Sequence, residues 1–433
     1  MAKRRDGVSE QCGKLSLHQG VGFLVSTLLG SGVFIVPAMV AGLAGQWAWL
    51  AWLGMTLLVL PVVFTFALLG RRFPHSAGTA HFVELAYGHR LRQSISWLYL
   101  SVIPIGPPVV VITGANYLVY CLGLSPVYCG YFALLMLSLI LIVNAFNVTL
   151  SGNVQFGITV LTALVLISVI VVGFTETPSA APKVISAGGD SLLAFLKAMG
   201  IIFWCFVGIE AVAHLAPEFA SPERDFPRTI VISLAVALSL YCLLSYTVLR
   251  FSAFGNEVDN ISSLPRLIGQ AFGRTGAVAI GLMGFLTCLA AVNLYIISFT
   301  RLIVSMEGHG PISRCLAYRN RFHAPVAATL LAVLPVAITV SLKYGWSIGL
   351  ESLIACANGV FVMIYLSASL SACRLLHGHQ RVMALLASLF CLGVACVIGD
   401  NMLYAVVVTL LAFVWSSRRL RKAMVASSGG SRA

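Results

Sequence analysis

Two apolar segments that are long enough to cross a membrane are each interrupted by glycine near the middle. The first contains Leu29-Gly30-Ser31-Gly32-Val33-Phe34, and the second contains Trp204-Cys205-Phe206-Val207-Gly208-Ile209-Glu210. Glycine inside a helix costs about 1 kcal/mol relative to alanine. A broken helix leaves N–H and carbonyl groups without helical partners, and within lipid such groups are tolerated only where they line a cavity or are buried in protein. The paired breaks therefore predict a binding site at mid-membrane.

The two breaks offer complementary chemistry to a ligand. Amide N–H groups around Gly30, Ser31 and Gly32 precede a second half-helix, whose positive dipole end favours a carboxylate. Carbonyl groups around Phe206 and Val207 suit an ammonium group. A donor cluster facing an acceptor cluster matches a zwitterion, and the α-amino acid is the commonest small zwitterion. For any single glycine, the alternative is close packing between helices.

Glu210 stands out because a carboxyl group at mid-membrane is costly and marks a functional hypothesis. His214 and Glu218 follow four and eight positions later, so all three lie near one helical face. One interpretation is a proton-transfer route from Glu210 through His214 towards the cytoplasm. In the other, Glu210 accepts backbone N–H bonds at the break and His214 packs as a neutral side chain.

Side chains near the breaks favour a neutral, apolar substrate because few of them are charged. Trp204 either covers the substrate as a gate or serves only in packing. Asn116, Asn293 and Asn358 lie within predicted spans, where they either hydrogen-bond a ligand or bridge helices. The predicted substrate-binding set is Gly30, Ser31, Gly32, Trp204, Phe206, Val207, Gly208, Asn293 and Asn358.

The composition indicates an all-α polytopic membrane protein. Of 433 residues, 59% are hydrophobic and only 9% are charged, whereas soluble domains carry roughly 25% charged residues. Soluble enzymes are therefore excluded. The sequence contains no CxxC pair, P-loop or evident nucleophile–base pair, so neither a metal nor a cofactor is predicted. Cys121 and Cys129 flank one short loop, where two free thiols are favoured over a disulfide.

About twelve membrane spans are predicted, because each needs about 20 apolar residues. They form one domain over residues 17–417, between a polar tail (1–16) and a basic tail (418–433). The first apolar segment is too long for a cleavable signal and is expected to be retained. The predicted spans are 17–42, 48–70, 94–122, 127–147, 154–174, 193–216, 228–254, 276–304, 325–342, 348–374, 381–399 and 401–417.

The placement of basic residues predicts the orientation. With the N-terminus in the cytoplasm, most of the 27 Lys and Arg residues fall on the inner side, as expected for a bacterial inner-membrane protein. Both termini are then cytoplasmic. The net charge of +13 reflects topology and anionic lipid rather than nucleic acid. The basic residues placed outside are Lys183, Lys197, Arg250, Arg266, Arg274 and Lys343.

The positions of the breaks predict an internal symmetry. They fall in the first and sixth spans, and because five is odd these two spans begin on opposite sides of the membrane. Two five-helix repeats, near 17–174 and 193–374, are then related by inversion, with extra helices over 381–417. Such an arrangement places broken helices together at mid-membrane.

Gly30-Ser31-Gly32-Val33-Phe34, followed by Pro37, resembles the first-span signature of the APC (amino acid–polyamine–organocation) superfamily. The run from Phe203 to Glu210, followed by Pro222-Glu223-Arg224, resembles its sixth-span signature. Nearly the whole chain is similar to this superfamily, and in particular to its bacterial exporters of L-methionine and branched-chain amino acids.

This resemblance implies a five-plus-five inverted-repeat fold and proton-linked efflux. It assigns the substrate carboxylate to Gly30, Ser31 and Gly32, a gate to Trp204 and pH sensing to Glu210.

A secondary transporter of neutral apolar amino acids, driven by the proton gradient, is the leading functional hypothesis. An importer or a polyamine exchanger of the same fold is the alternative, and a non-transporting amino-acid sensor belongs to a different class. The expected partners are small amino acids and the lipid bilayer, with no nucleic acid. The sequence predicts no oligomeric state.

Overall fold

The architecture is helical throughout the part of the chain that the structure describes. The structure is a computed structural model. It describes residues 16–30, 32–73, 75, 78–147, 152–178, 191–211, 219, 221–305, 316, 318–346 and 348–429.

Helices in the first half of the chain follow one another closely. They are α1 (Leu17–Leu29), α2 (Val36–Ala44), α3 (Ala48–Arg72), α4 (Thr79–Tyr87), α5 (His89–Ser101), α6 (Gly106–Leu122), α7 (Cys129–Ala145), α8 (Gly152–Thr175) and α9 (Ser191–Ile202). The later helices are α10 (Pro222–Arg250), α11 (Glu257–Ile261), α12 (Ser263–Ser305), α13 (Val326–Trp346), α14 (Leu350–Leu375), α15 (His379–Ile398) and α16 (Met402–Gly429).

The all-α polytopic fold class is confirmed. Each of the twelve predicted spans overlaps one or more of these helices. Within the described residues, eight continuous helical runs are long and apolar enough to cross a membrane, and three shorter apolar helices accompany them. The counts differ for two reasons. The runs Val36–Arg72 and His379–Ser416 each join two helices, and the three shorter helices lie in the first, fifth and sixth predicted spans.

Apolar side chains cover both the interior and the outer surface. Among the fully buried side chains are Trp52 and Tyr365, while Leu135 (60%), Leu164 (57%) and Leu389 (64%) are exposed. A large exposed apolar surface is unfavourable in water but suits contact with lipid tails. The exposed leucines therefore agree with the membrane class.

The core forms around the two broken spans. Helix α1 packs against α10, and α2 packs against both α9 and α10. Helix α3 lies beside both breaks because it contacts α9, α10, α14 and α15. Residues that are distant in sequence are thereby brought to the centre of the helical assembly.

The short helix α4 packs against α5 and α14. The Tyr87 hydroxyl donates to the Leu370 carbonyl at 3.1 Å, which ties α4 to α14. Glu84 accepts from Arg92 at 2.7 Å and pairs with His89 at 3.0 Å. The hydrogen bond from His89 lowers the pKa of the Glu84 carboxyl below its usual range, and the nearby Arg92 charge lowers it further.

A second polar cluster joins α11 to the ends of α13 and α14. The nearly buried Lys343 ammonium contacts the Glu257 carboxylate at 2.5 Å and the Ile348 carbonyl at 3.0 Å. The Leu350 N–H donates to the other Glu257 oxygen at 2.9 Å. One ion pair therefore links three helix ends.

Cys121 and Cys129 are both free thiols. The Cys121 thiol faces the Val278 carbonyl at 3.4 Å, and the Cys129 thiol faces Asn116 Oδ1 at 3.0 Å. Each sulfur therefore contacts a different helix.

Candidate functional site

The first break separates α1 from α2. Helix α1 ends at Leu29, and Gly30 has a φ of +23°, which disfavours side chains of L-residues. A short 3-10 turn covers Gly32–Phe34, and α2 begins at Val36. Ile35 precedes α2 and provides no side-chain cap, but its carbonyl accepts the Ala38 and Met39 N–H groups at 3.2 Å each, and Pro37 has no N–H.

Tyrosine hydroxyls from neighbouring helices bind carbonyl groups on both sides of this break. The Tyr241 hydroxyl of α10 donates to the Leu28 carbonyl at 2.9 Å. The Tyr117 hydroxyl of α6 donates to the Phe34 carbonyl at 3.1 Å. Trp52 stacks on the Tyr241 ring at 4.3 Å and holds it in place. The break is therefore a fixed structure with satisfied carbonyls rather than a loose hinge.

The second break begins where α9 ends at Ile202. A 3-10 turn covers Phe203–Phe206, and Val207 is extended, with φ −66° and ψ 135°. Gly208 has a φ of +106°, a backbone conformation open essentially to glycine. The chain then turns into a second 3-10 segment, Ile209–Ala211.

The glycines of the two breaks pack against each other's segments. A Cβ atom at Gly32 would lie 2.8 Å from Cys205 Sγ and 3.3 Å from Trp204 Cδ1. A Cβ atom at Gly208 would lie 2.7 Å from Thr27 Cγ2 in the last turns of α1. Since neither position has room for a side chain, close contact between the two breaks depends on both glycines.

The Trp204 side chain lies between two glycines. It is only 6% exposed, and its indole edges approach Gly32 and Gly106. A Cβ atom at Gly106 would stand 3.6 Å from Trp204 Cη2. The indole therefore covers the first break from the side of α6.

Glu210 folds back onto the second break. Its Oε2 atom accepts from the Gly208 N–H at 3.1 Å and from the Tyr365 hydroxyl at 2.5 Å. The Gly208 N–H also points at the Tyr365 oxygen, 3.3 Å away. One carboxyl oxygen thus joins the backbone of the second break to Tyr365 of α14.

Comparison with known proteins agrees with this architecture. The family described as amino acid permease matches residues 15–426. The chain belongs to the amino acid permease family. Because this match spans nearly the whole chain, the resemblance to the APC superfamily is confirmed.

Several curated relatives of this permease are similar over most of their length. It is 38% identical over 405 residues to the L-methionine/branched-chain amino acid exporter YjeH of Escherichia coli, covering 93% of this chain and 95% of the relative. An uncharacterized amino acid permease of Bacillus subtilis, YecA, is 26% identical over 92% of this chain and 94% of its own. The serine/threonine exchanger SteT of Bacillus subtilis is 24% identical over 65% of each chain.

The permease brings most of the predicted break residues together, although three lie outside the described residues: Ser31, His214 and Glu218. Gly32, Trp204 and Gly208 meet at the contact between the breaks. Phe206 and Val207 are buried beside them, and the Phe206 carbonyl lies 3.5 Å from the Tyr365 hydroxyl.

The three asparagines that lie within predicted spans of the permease form hydrogen bonds within one helix or between two helices. Asn293 Oδ1 accepts from Asn144 of α7 at 2.6 Å. Asn358 donates to the Gly200 carbonyl of α9 at 2.9 Å, while its own buried Oδ1 has no hydrogen-bond partner among the described residues. Asn116 donates to the Ile112 carbonyl one turn earlier. Of the three, Asn358 alone keeps an unpartnered acceptor within the part of the chain that the structure describes.

The tyrosines that hold the breaks are absent from the sequence-based prediction. Tyr117, Tyr241 and Tyr365 lie within apolar spans, where an aromatic residue reads as ordinary packing. Their distances in sequence from the breaks give no sign of contact. The available signal is that a buried tyrosine hydroxyl needs a partner, and a broken helix offers free carbonyl groups.

Proposed function

We propose that this permease is a secondary active transporter that exports L-methionine, leucine, isoleucine and valine in exchange for protons. The contact between the two breaks, Gly32 against Cys205 and Gly208 against Thr27, carries the proposal. It brings the backbones of the two interrupted helices close together in the core, where one zwitterion can contact both. The L-methionine/branched-chain exporter YjeH supports the choice of substrates through its 38% identity.

The two ends of the substrate are bound by different breaks in this proposal. Amide groups at Gly30, Ser31 and Gly32 receive the carboxylate, in the way that backbone N–H groups at helix starts receive anions. Carbonyl groups at Phe206 and Val207, with the turn at Gly208, receive the ammonium group.

The substrate side chain lies beside Trp204, which acts as a gate. Asn358 Oδ1, which has no partner among the described residues, offers a further acceptor near the second break, and Asn293 completes the proposed binding set. Buried apolar side chains surround the breaks, which suits a neutral aliphatic or thioether side chain.

Proton coupling is assigned to Glu210, with His214 as its relay. Glu210 accepts a hydrogen bond from the Gly208 N–H. In this proposal, the carbonyl groups of Phe206 and Val207, just before Gly208, bind the ammonium group. Protonation of the carboxyl group weakens its acceptor strength towards Gly208 and Tyr365. The backbone of the substrate site then responds to the protonation state of one side chain.

The proposed setting is the bacterial inner membrane with both termini in the cytoplasm, and the proposed repeats are 17–174 and 193–374. The matched positions of the breaks in α1–α2 and after α9 support an inverted relation. The excess of basic residues in the predicted inner loops supports the orientation.

Methionine efflux from proteoliposomes tests the proposal. Purified protein is reconstituted with radiolabelled methionine inside, and efflux is followed with and without an inward proton gradient. We expect the gradient to accelerate methionine efflux, and unlabelled leucine, isoleucine and valine to compete. Lysine, arginine and putrescine should not compete. Competition by these cations alone would indicate the exchanger alternative.

The Glu210→Gln variant tests the coupling role separately. We expect it to bind methionine and to lose the acceleration by the proton gradient. Glu351→Gln removes an exposed carboxyl group at the start of α14 and serves as the matched control. If Glu210→Gln responds to the gradient as the wild type does, the coupling assignment is wrong, although the substrate assignment can still hold.

A further inference from the structure

A cavity of about 300 Å³ lies apart from the breaks, where the ends of α7 and α12 meet the start of α13. Arg301, Arg319 and His323 line it, together with Asn147 and Thr300. None of the described residues that line the cavity is acidic. This described part of the wall carries two permanent positive charges and no carboxylate, which suits an anion.

The walls of this cavity are held in place by contacts between α7 and the segment before α13. Asn320 donates to the Ala145 carbonyl at 2.7 Å, and its Oδ1 accepts the Phe322 and Ala324 N–H groups at 3.0 Å each. The Phe146 and Phe322 rings lie 4.9 Å apart. The cavity is thus a built feature of the fold rather than a gap between unconnected loops.

Thr300 lines the cavity and carries a buried, unpaired hydroxyl group. The residue is 6% exposed, and its Oγ1 has no hydrogen-bond partner in the described part of the chain. Buried polar atoms without a partner are rare and call for an explanation. A ligand oxygen inside the cavity would supply the missing partner.

Other polar groups of the wall are already engaged. Asn144 donates to the Ile140 carbonyl at 2.8 Å and to Asn293 at 2.6 Å, so both of its amide hydrogens are used. Thr329 donates to the Pro325 carbonyl at 3.2 Å. Arg319 donates one N–H to the His323 carbonyl at 3.2 Å. The donors left for a ligand among the described residues are therefore the other N–H groups of Arg319, the Arg301 guanidinium, the Thr300 hydroxyl, the Asn147 amide and the His323 ring.

Two of these residues have unusual backbone angles. Asn147 has a φ of +53° and His323 a φ of +61°. Among the described residues, only Ser252 is another non-glycine residue with positive φ. Such conformations cost energy and cluster at ligand sites, where the surrounding structure maintains them.

The chemistry and the position of the cavity favour a phosphate group. Guanidinium groups bind phosphate oxygens through paired, charge-assisted hydrogen bonds. Exposed apolar side chains next to the lining residues, Ile142 (54%), Phe146 (51%) and Leu330 (46%), offer a surface for acyl chains. Basic cavities between membrane helices are typical sites for anionic headgroups. We propose that this cavity binds the phosphate of an anionic phospholipid headgroup.

Native mass spectrometry of the full-length protein tests the proposal. The protein is equilibrated in mixed micelles with phosphatidylglycerol or with phosphatidylcholine, and retained lipid is counted. We expect retention of phosphatidylglycerol over phosphatidylcholine, and a loss of about tenfold or more in Arg301→Gln/Arg319→Gln. Arg90→Gln/Arg381→Gln, which removes two exposed arginines outside the cavity, is the matched control and should bind as the wild type does.

A second variant keeps the test decisive if the double variant does not fold. Thr300→Val preserves the side-chain shape and removes a hydroxyl that has no hydrogen-bond partner among the described residues. Its lipid-free stability should equal that of the wild type or exceed it, whereas phosphatidylglycerol retention should fall about two- to tenfold. Unchanged retention in both variants would overturn the proposal, as would an equal loss in the control.

Competition with inorganic phosphate distinguishes a phospholipid headgroup from soluble phosphate as the ligand of the cavity. We expect millimolar phosphate to displace little phosphatidylglycerol, because the acyl chains add contacts that phosphate lacks. Full displacement, together with equal thermal stabilisation by phosphate alone, would show that the cavity takes a soluble phosphate and would overturn the lipid assignment.

Discussion

Gly32 and Cys205 pack so closely that a methyl group on Gly32 would lie 2.8 Å from the Cys205 sulfur. Gly32→Ala should therefore separate the two breaks and reduce methionine efflux about tenfold or more, because overpacking costs about 1–3 kcal/mol. Initial efflux rates from proteoliposomes measure the effect. Gly54→Ala, where the added carbon meets only Met199 at 3.5 Å, should be tolerated.

Cys205→Ala should restore part of the activity lost in Gly32→Ala, since it removes the sulfur that the methyl group meets. Efflux by the double variant is compared with efflux by each single variant. If the double variant is no more active than Gly32→Ala alone, the defect does not arise from this contact.

Gly208 is expected to behave differently, because its φ of +106° disfavours any side chain. Gly208→Ala should destabilise the protein by about 1–3 kcal/mol. Thr27→Ser removes the Cγ2 atom that the new methyl group meets, but it should give little rescue because the backbone strain remains. Thermal unfolding in detergent measures both. Full rescue by Thr27→Ser would show that steric contact alone is responsible.

The Tyr241 hydroxyl is expected to stabilise the first break. Tyr241→Phe leaves the buried Leu28 carbonyl without its donor at 2.9 Å, a loss of about 1–3 kcal/mol. Tyr246→Phe, in the same helix but with a 47% exposed side chain, is the control and should unfold as the wild type does. Equal unfolding temperatures for the two variants would contradict a structural role for the hydroxyl.

Lys343 is expected to secure the junction of α11, α13 and α14. Lys343→Met leaves Glu257 with only the Leu350 N–H and should cost about 1–3 kcal/mol. Lys197→Met removes an exposed ammonium group and should have little effect. Denaturant or thermal unfolding of the two variants provides the comparison, and equal stabilities would argue against the junction.

The lowered pKa of Glu84 predicts the direction in which the stability of the folded protein changes with pH. Its folded-state pKa is lowered, first by the hydrogen bond from His89, so ionised Glu84 stabilises the folded protein above the usual glutamate pKa. This contribution should disappear as the pH falls through the folded-state pKa. The stability difference between wild type and Glu84→Gln should be under about 1 kcal/mol at pH 7 and should shrink towards pH 4. A difference that grows on acidification would contradict the assignment.

The amino-acid sequence was sufficient to predict the class, the spans and the two breaks. Membrane spans can be read locally, because lipid demands about 20 apolar residues wherever a helix crosses it. Glycine interruptions are local as well, and Gly30, Gly32 and Gly208 all lie at the predicted breaks. The family signature depends on the same short runs of residues, which is why it was visible without a structure.

Only the tertiary structure decided which groups meet across the chain. Tyr241 reaches the Leu28 carbonyl from 213 positions away, and Tyr365 reaches Glu210 from 155 positions away. In an apolar span, nothing distinguishes a tyrosine that holds a break from one that fills space. Helix packing selects the partner, because it decides which face of α10 or α14 turns towards the broken spans. The composition of α10 and α14 does not show which of their faces turns towards the broken spans.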